Sequence, residues 1–340
     1  MPRLVVDLAD VRPIFALPDP VVAAIEAALP DDWELVVVGS AAEGTGDGGT
    51  GASADAMAAV PDADVYLGFG IPEELLRAGR RLGWVHSAAA GVGSSLTPTM
   101  LETDVVFTNS AGIHGPPVAE TVIAYLLHFA RGHDHAVRAQ ARREWDNAAF
   151  DGADARVSEL SRSTVGVVGL GGIGREVARR AGALGARVVA TRRRPEPVHG
   201  VELLTGGDAL DRLLEISDYV VLTVPETAET AGLIGREELE RMRPGAVLVN
   251  VARGGLVDEE ALVRALESGR IGGAALDVFA TEPLPADHPL WNTPRTLLTP
   301  HVSAYTHAFW ERESALILDN LERYLAGRPL RNVVDKRAGY

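Results

Sequence analysis

The fold is decided by the stretch Val165-Gly-Val-Val-Gly169-Leu-Gly171-Gly172-Ile173-Gly174, which leads through a helical pattern to Arg187-Val-Val-Ala-Thr191. An apolar run ends in the spacing Gly169-x-Gly171-x-x-Gly174, and a second apolar run closes the unit. Between the two runs, apolar residues recur at helical spacing and define one face of a helix. This order of strand, glycine turn, helix and strand is typical of a dinucleotide-binding unit.

Each glycine of the turn has a predicted task. Gly169 permits the tight turn, Gly171 lets the backbone approach a pyrophosphate, and Gly174 lets the helix lie close to the strand. The anion would then bind at the helix N-terminus, where N–H groups and the helix dipole favour negative charge. We predict that Gly172 and Ile173, which open the helix, contact the same ligand.

A second formal match, Gly44-Thr-Gly46-Asp-Gly-Gly49, serves as a control. It follows the apolar run 35–38, but five residues separate that run from Gly44. The pyrophosphate site needs the turn directly between strand and helix. We therefore interpret residues 40–54 as a surface loop.

The composition excludes several classes of protein. The chain has 340 residues, of which 46% are hydrophobic, and this suits two domains with buried cores. Its formal net charge of −15 argues against a nucleic-acid partner or an anionic membrane surface. No apolar run reaches membrane-spanning length and no secretory signal is recognisable, so we expect a cytoplasmic protein. The absence of cysteine excludes thiolate chemistry, and no metal site is expected.

Short apolar runs alternate with helical stretches along most of the chain, which predicts an α/β protein with two doubly wound parallel sheets. Strands are expected at 4–8, 35–38, 65–69, 84–86, 105–108, 165–169, 187–191, 219–223, 246–251, 272–276 and 296–298. Helices are expected at 19–29, 53–60, 72–82, 94–102 and 116–131, followed by an Arg-rich helix running to Trp145 and a last helix at 304–326.

This rhythm divides the chain into two predicted domains. Residues 1–110 and 303–340 would form a flavodoxin-like substrate domain, because the last stretch, 329–334, is expected to return to the first sheet. Residues 111–302 would form an inserted Rossmann domain that binds the dinucleotide.

Three polar side chains follow predicted strands of the second domain. Arg253 stands at the end of one strand with two glycines behind it, which we interpret as backbone room for a ligand. An arginine fork suits a carboxylate and an adjacent carbonyl oxygen, because it donates in one plane. Glu282 and His301 would form an acid–base pair in which the carboxylate fixes the imidazole tautomer and favours the protonated ring. Such a histidine can protonate a carbonyl oxygen while a hydride arrives at the carbon.

Each of these residues also has a plainer interpretation. Taken alone, Arg253 is a surface arginine on a tight turn, and an isolated glutamate or histidine is more often structural than catalytic. Their joint position at strand ends of one predicted domain favours a site.

With these motifs in place, the chain resembles the D-isomer-specific 2-hydroxyacid dehydrogenases, a family that includes glyoxylate/hydroxypyruvate reductases and phosphoglycerate dehydrogenase. The resemblance covers nearly the whole chain. It rests on Ala88-Ala-Ala-Gly91, Ala119-Glu120, the glycine turn, Asn250-Val-Ala-Arg253-Gly-Gly, Leu276-Asp277-Val-Phe279 with Glu282-Pro283, and Pro300-His301. Formate dehydrogenases of the family usually carry glutamine at the position of Glu282, so that branch is disfavoured.

The resemblance implies roles for individual residues. Arg253, Glu282 and His301 match the catalytic arginine, glutamate and histidine, with Arg253 and His301 also contacting the substrate. Ala90 and Gly91 match the loop whose backbone N–H groups hold the substrate carboxylate. The cofactor would be contacted by Val224, Pro225, Val251, Ala252 and by Asp277, which matches the aspartate that meets the nicotinamide amide. The implied activity is the reduction of 2-keto acids to D-2-hydroxy acids with NAD(P)H, and the implied assembly is a homodimer with Trp145 at or near its interface.

The choice of cofactor follows from the end of the second strand of the Rossmann unit. An NAD-binding unit carries an acidic residue about 20 residues past the glycines, where it binds the ribose 2′-hydroxyl. Here the strand ends in Thr191-Arg192-Arg193-Arg194, and the next acid is Glu196. Thr191, Arg192 and Arg193 suit a 2′-phosphate, so we predict NADP in preference to NAD. The alternative is a solvated basic turn.

A second class of function stays open at this point. A dinucleotide-sensing regulatory protein, similar to co-repressors that share the fold, would keep the glycine turn without catalysing a reaction. The complete set of Arg253, Glu282 and His301 favours the enzyme.

Overall fold

A computed structural model describes residues 1–39, 51–152, 157–194 and 196–339. The chain divides into two compact units, one formed by Met1–His114 with Tyr305–Tyr340 and the other by Gly115–Ala304. The second glycine match at 44–49, and most of the loop expected at 40–54, lie outside the described residues.

The first unit contains a five-stranded parallel sheet in the order β2-β1-β3-β4-β5. Its strands are β1 Arg3–Asp7, β2 Glu34–Val37, β3 Val65–Gly68, β4 Trp84–Ser87 and β5 Val106–Asn109. This is the flavodoxin-like order, and it confirms the predicted class of the first sheet. The central strands β1, β3 and β4 are buried on both faces, as a parallel sheet covered by helices requires.

The helices of the first unit are α1 Asp19–Ala28, α2 Ala54–Ala59, α3 Glu73–Ala78, α4 Pro98–Glu102 and α12 Phe309–Leu325. The last helix begins later than the predicted residue 304. The side chain of Thr306 accepts a hydrogen bond from the backbone N–H of Ala308 at 3.2 Å, and this local turn delays the helix to Phe309. Beyond α12 the chain returns to the sheet, where Val333 pairs antiparallel with Thr108.

The second unit contains a seven-stranded parallel sheet in the order β12-β11-β10-β9-β6-β7-β8. Its strands are β6 Thr164–Val168, β7 Arg187–Thr191, β8 Glu202–Leu204, β9 Tyr219–Leu222, β10 Val247–Asn250, β11 Gly273–Leu276 and β12 Thr296–Leu298. The order is that of a Rossmann sheet with one further strand. Strand β8 was not predicted, because three residues that pair only with β7 leave almost no periodicity to detect.

The helices of the second unit are α5 Gly115–Ala130, α6 His133–Arg142, α7 Ala148–Asp151, α8 Gly172–Ala183, α9 Ala209–Ile216, α10 Arg236–Arg241 and α11 Glu259–Glu267. The Arg-rich helix α6 ends at Arg142 and does not reach Trp145 as predicted. Arg143 adopts a left-handed conformation with φ of 60°, which turns the chain out of the helix. No helix in the described ranges has the length and apolar character needed to cross a membrane.

The glycine turn joins β6 to α8 as predicted. Gly169 has φ of +96°, a conformation that favours glycine. A Cβ placed on Gly174 would lie 2.0 Å from the carbonyl oxygen of Gly169 and 2.9 Å from Oγ1 of Thr223. The hydroxyl of Thr223 in turn donates to the Gly169 carbonyl at 2.5 Å. Helix α8 therefore begins in direct backbone contact with the turn, and only glycine fits at position 174.

This contact predicts that Gly174→Ala destabilises the protein. The added methyl group meets backbone at a distance that no rotamer relieves, and overpacking of this kind costs about 1–3 kcal/mol or more. The expected result is a lower midpoint in urea-induced unfolding.

Gly182→Ala in the same helix is the matched control, because a Cβ at that position meets no atom within 4 Å. Replacing an exposed helical glycine by alanine raises stability by about 0.5–1 kcal/mol. Equal midpoints for the two variants would contradict this view of the turn.

Candidate active site

Three adjacent strands of the second unit end at the same edge of the sheet and carry the candidate residues. Strands β10, β11 and β12 are neighbours and run parallel, so their carboxyl ends lie side by side. Arg253 follows β10, Asp277 follows β11 directly, and His301 follows β12. In open α/β sheets this edge is where ligands bind.

The turn that carries Arg253 is closed by a buried asparagine. Asn250 donates through Nδ2 to the Arg253 carbonyl at 2.8 Å and accepts from the N–H of Ala252 at 3.1 Å. The guanidinium of Arg253 is partly exposed and donates through Nη1 to the Ala252 carbonyl at 2.6 Å. Asn250 thus fixes the backbone from which the guanidinium projects.

The glycine after Arg253 has a different task from the one we predicted. A Cβ on Gly254 would lie 1.9 Å from the carbonyl carbon of Phe279 and 2.3 Å from the N atom of Ala280. The space at Gly254 is therefore filled by the backbone that follows β11, not reserved for a ligand. This contact holds the arginine turn against the segment that leads to Glu282.

Glu282 and His301 form the predicted pair. Nδ1 of His301 lies 2.7 Å from Oε2 of Glu282, and the other carboxylate oxygen accepts from the N–H of Phe279 at 2.9 Å. About a third of each side chain is exposed, 36% for His301 and 33% for Glu282. A carboxylate on Nδ1 leaves Nε2 as the nitrogen that can meet a substrate.

The backbone at His301 is held in a conformation that few residues adopt. His301 has φ of 52°, in the left-handed region. Its N–H donates to the Asp277 carbonyl at 2.8 Å, and the fully buried Asp277 carboxylate accepts from the N–H groups of Val302 at 3.0 Å and Ser303 at 2.9 Å. Asp277 therefore anchors the histidine and the two residues that follow it.

A hydroxyl relay behind this loop was missed by our sequence analysis. Thr299 donates to Oδ1 of Asp277 at 2.5 Å, and its oxygen is in turn hydrogen-bonded to the phenol of Tyr125 on α5. Burial, the largest cause, and the negative charge of Asp277 raise the pKa of Tyr125 to about 12, although the bond to Thr299 acts the other way. No motif in the sequence links Tyr125 to Thr299.

The predicted phosphate cluster lies at the end of β7. Arg192 pairs with Glu196, with Nη1 2.8 Å from Oε2, and Arg193 lies 3.8 Å from Oε2 of Glu229. Thr191 is the last residue of β7 and is half-buried. Each of the two arginines therefore has a carboxylate partner.

The remaining predicted cofactor contacts lie at the same edge of the sheet. Val224 and Pro225 follow β9, and Val251 and Ala252 follow β10. At the start of α8, Gly171 and Gly172 are exposed, and a Cβ on Gly171 would meet no atom within 4 Å. An open helix N-terminus beside the glycine turn fits the pyrophosphate of a dinucleotide.

The candidate substrate loop belongs to the first unit. Nδ2 of Asn109 donates to the Ala90 carbonyl at 2.7 Å, and the hydroxyl of Ser110 donates to the Ser87 carbonyl at 2.9 Å. Because C=O and N–H point in opposite directions across a trans peptide, the bond from Asn109 turns the Gly91 N–H away from β5. The structure thus orients one of the donors predicted for a carboxylate.

His86 precedes this loop and is fully buried. Its Nε2 lies 2.9 Å from Oε1 of Glu313 on α12, and its Nδ1 lies 2.8 Å from the hydroxyl of Thr108. This buried pair joins β4 to α12 within the first unit. Among the described residues, no group of three or more His, Asp or Glu side chains is arranged to hold a metal ion.

Comparison with known proteins identifies the family. The model of the D-isomer specific 2-hydroxyacid dehydrogenase NAD binding domain matches residues 123–303, which are the core of the second unit. The chain belongs to this family, as the motifs predicted.

Named relatives agree with this assignment. The chain is 36% identical over 290 residues to the D-3-phosphoglycerate dehydrogenase of Mycobacterium tuberculosis, with 83% of this chain and 53% of that protein covered. It therefore spans about half the length of that relative. It is 34% identical over 280 residues to glyoxylate/hydroxypyruvate reductase B of Pectobacterium atrosepticum, covering 82% of this chain and 87% of that protein.

A solved structure resembles the whole chain. It is the D-isomer specific 2-hydroxyacid dehydrogenase from Xanthobacter autotrophicus Py2 in complex with NADPH and MES. The two are 30% identical, the TM-score is 0.81, and the match covers 100% of this chain and 99% of that chain.

The raised pKa of Tyr125 predicts how stability depends on alkaline pH. In the unfolded chain the phenol ionises near its ordinary pKa of 10, whereas in the folded protein it does so at about 12. Between these values the unfolded state loses the proton first, so Tyr125 makes stability fall as pH rises. The free energy of unfolding is measured in urea at pH 10 and at pH 12 for the wild type and for Tyr125→Phe. Between these two pH values the wild type should lose more stability than the variant does.

An equal pH dependence for the two proteins would show that Tyr125 ionises no later in the folded state. Ultraviolet difference titration supplies the direct check, because the variant should lack one phenol ionisation near pH 12.

Proposed function

We propose that this protein reduces 2-keto acids to D-2-hydroxy acids with NADPH as the preferred cofactor. The observation that carries the proposal is the pair of His301 and Glu282 at a strand end of the dinucleotide-binding unit, in a chain of this family. Arg253 lies on the turn after β10, which is separated from β12 by β11, and this turn is held against the segment that precedes Glu282.

His301 acts as the general acid. Its protonated ring donates through Nδ1 to Glu282, so the Nε2–H bond is available for the carbonyl oxygen of the substrate. The carboxylate of Glu282 accepts this hydrogen bond and holds the plane of the ring. When the proton passes to the substrate oxygen, His301 is left neutral and still bonded to Glu282.

Arg253 binds the substrate and stabilises the charge that develops on it. Its planar guanidinium donates to the carboxylate and to the carbonyl oxygen of a 2-keto acid. Because the carbonyl oxygen becomes more negative during reduction, this bond strengthens in the transition state. The N–H groups at Ala90 and Gly91 are proposed to bind a substrate carboxylate.

The residues around the glycine turn fit a dinucleotide. Gly169, Gly171, Gly172, Ile173 and Gly174 would hold the pyrophosphate at the start of α8, and Val224, Pro225, Val251 and Ala252 would line the rest of the cofactor. When bound, the reduced nicotinamide supplies the hydride that the substrate carbon receives. Asp277 would lie beside the nicotinamide while its carboxylate holds the His301 loop.

Thr191, Arg192 and Arg193 support the preference for NADPH. Arginine binds phosphate through parallel N–H bonds, and these residues lie where a Rossmann unit meets the adenosine ribose. In NAD-binding units this position carries an acid directly after the strand, and here it carries arginine.

We further propose that the protein is a homodimer. Trp145, which follows α6, is fully exposed in the single chain, and Val137 on α6 is 58% exposed. Large apolar side chains that are left exposed in one segment of the chain support an interface there. A cytoplasmic location stays a prediction.

The activity is tested by mixing the protein with glyoxylate, hydroxypyruvate or phenylpyruvate and NADPH, and following the absorbance of the reduced cofactor. Consumption of NADPH with at least one keto acid is expected, and hydroxypyruvate or phenylpyruvate should yield the D-hydroxy acid. A protein that binds NADPH but reduces no 2-keto acid would instead be a sensor of the dinucleotide.

His301→Ala is predicted to lower kcat by about 10²–10⁴-fold, because it removes the general acid. Binding of NADPH, measured by fluorescence titration, should be nearly unchanged. His288→Ala is the matched control, since His288 also faces a glutamate, with Nε2 3.3 Å from Oε2 of Glu259. Keto-acid turnover at the wild-type rate in His301→Ala would refute the assignment.

Replacing Arg192 and Arg193 together by glutamine is predicted to raise the KM for NADPH and to leave the KM for NADH much less affected. The two cations interact with the 2′-phosphate, which NADH lacks. Steady-state kinetics with both cofactors measure the effect. More efficient use of NADH than of NADPH by the wild type would refute the preference and leave the reductase assignment intact.

A further inference from the structure

A carboxylate already lies against the arginines that are proposed to bind the 2′-phosphate. Oε2 of Glu196 lies 2.8 Å from Nη1 of Arg192 and 3.4 Å from Nη2 of Arg175. Arg192 directly follows β7, and Arg175 directly follows Gly174 in α8. One carboxylate oxygen therefore contacts two guanidinium groups, one after β7 and one on α8.

This arrangement shows that the position between the two arginines accepts an anionic oxygen. Guanidinium groups bind carboxylates and phosphates through the same donor geometry, so a group that seats a carboxylate oxygen also suits a phosphate oxygen. Arg175 was not among our predicted cofactor contacts. Its convergence with Arg192 on one anionic atom adds it to the candidates.

We infer that Glu196 competes with the 2′-phosphate of NADPH for Arg192 and Arg175. This inference rests on the proposed use of NADPH. The phosphate binds the two arginines only after Glu196 releases them, and a carboxylate that stays nearby repels it. The 2′-hydroxyl of NADH is uncharged, so its binding requires no release of the arginines and meets no repulsion from the carboxylate. Glu196 therefore weakens the binding of NADPH more than that of NADH and makes the two affinities more similar.

The exposure of the residues sets the size of the effect. Glu196 is 65% exposed, Arg175 is 45% exposed and Arg192 is 22% exposed. Ion pairs between exposed groups are weak, equivalent to about 1.5- to 5-fold in an equilibrium constant. Glu196 therefore tunes cofactor preference without blocking the site.

The test measures binding of two nucleotides by isothermal titration calorimetry, with no keto acid present. Adenosine 2′,5′-bisphosphate carries the 2′-phosphate, and adenosine 5′-monophosphate lacks it. Glu196→Gln should bind the bisphosphate about 2- to 5-fold more tightly than the wild type does, with unchanged affinity for the monophosphate. Arg175→Ala should weaken binding of the bisphosphate alone.

Glu202→Gln is the matched control. Glu202 pairs with Arg187, with Oε2 2.7 Å from Nη2, but Arg187 is the first residue of β7, at the end of the strand opposite to Arg192. This variant also loses one negative charge, but at the amino end of the neighbouring strand β8. It should bind both nucleotides as the wild type does.

Four results would overturn the inference. Weaker binding of the bisphosphate by Glu196→Gln would show that Glu196 positions the arginines, and an equal gain in Glu202→Gln would show a general effect of net charge. If the wild type prefers the bisphosphate but Glu196→Gln binds it no more tightly, the role of Glu196 is refuted and the preference for NADPH stands. Equal binding of both nucleotides by the wild type would instead refute the preference for NADPH itself, and with it this inference.

Discussion

The Asp277 carboxylate accepts hydrogen bonds from the hydroxyl of Thr299 and from the N–H groups of Val302 and Ser303. A buried charge is costly unless it is fully bonded, and these donors compensate for its loss of water. They lie on both sides of His301, so the same bonds that stabilise the carboxylate hold the histidine in its left-handed conformation. Strained backbone of this kind persists only where its surroundings fix it. The position of the candidate acid thus depends on a residue buried beneath it.

Most of the fold could be predicted from the sequence because its strands are buried on both faces and appear as continuous apolar runs. The exceptions have physical causes. Strand β8 is three residues long, so its pairing with β7 is a tertiary feature with no local signal. Helix α12 begins after the expected residue because the Thr306 side chain accepts a hydrogen bond from the N–H of Ala308, and α6 ends early at the left-handed Arg143. Competition between local hydrogen bonds is not visible in hydrophobic periodicity.

The candidate site was predictable to the extent that its chemistry lies in motifs. Arg253, Glu282 and His301 have the residue types and strand-end positions that the proposed reaction needs. The support for them was not predictable, because Tyr125 and Thr299 are far apart in the chain and meet only through the packing of α5. The sequence indicated that Gly254 leaves space, but not that this space is filled by the backbone at Phe279, which follows a different strand, β11. Residues that meet only in the folded protein are not related by any fixed spacing in the sequence, so no motif reveals them.

Glu282 uses its two oxygens for different partners, Oε2 for Nδ1 of His301 and Oε1 for the N–H of Phe279. An amide at this position has one acceptor oxygen and one NH₂ group that only donates, and the backbone N–H of Phe279 can pair only with the oxygen. The amide NH₂ would then face Nδ1, which must itself become an acceptor. The imidazole would be neutral with its proton on Nε2, so it could orient a substrate oxygen through a hydrogen bond without the anionic partner that favours proton transfer. The bond from Phe279 thus makes the residue type at position 282 decide whether Nδ1 of His301 donates or accepts a hydrogen bond.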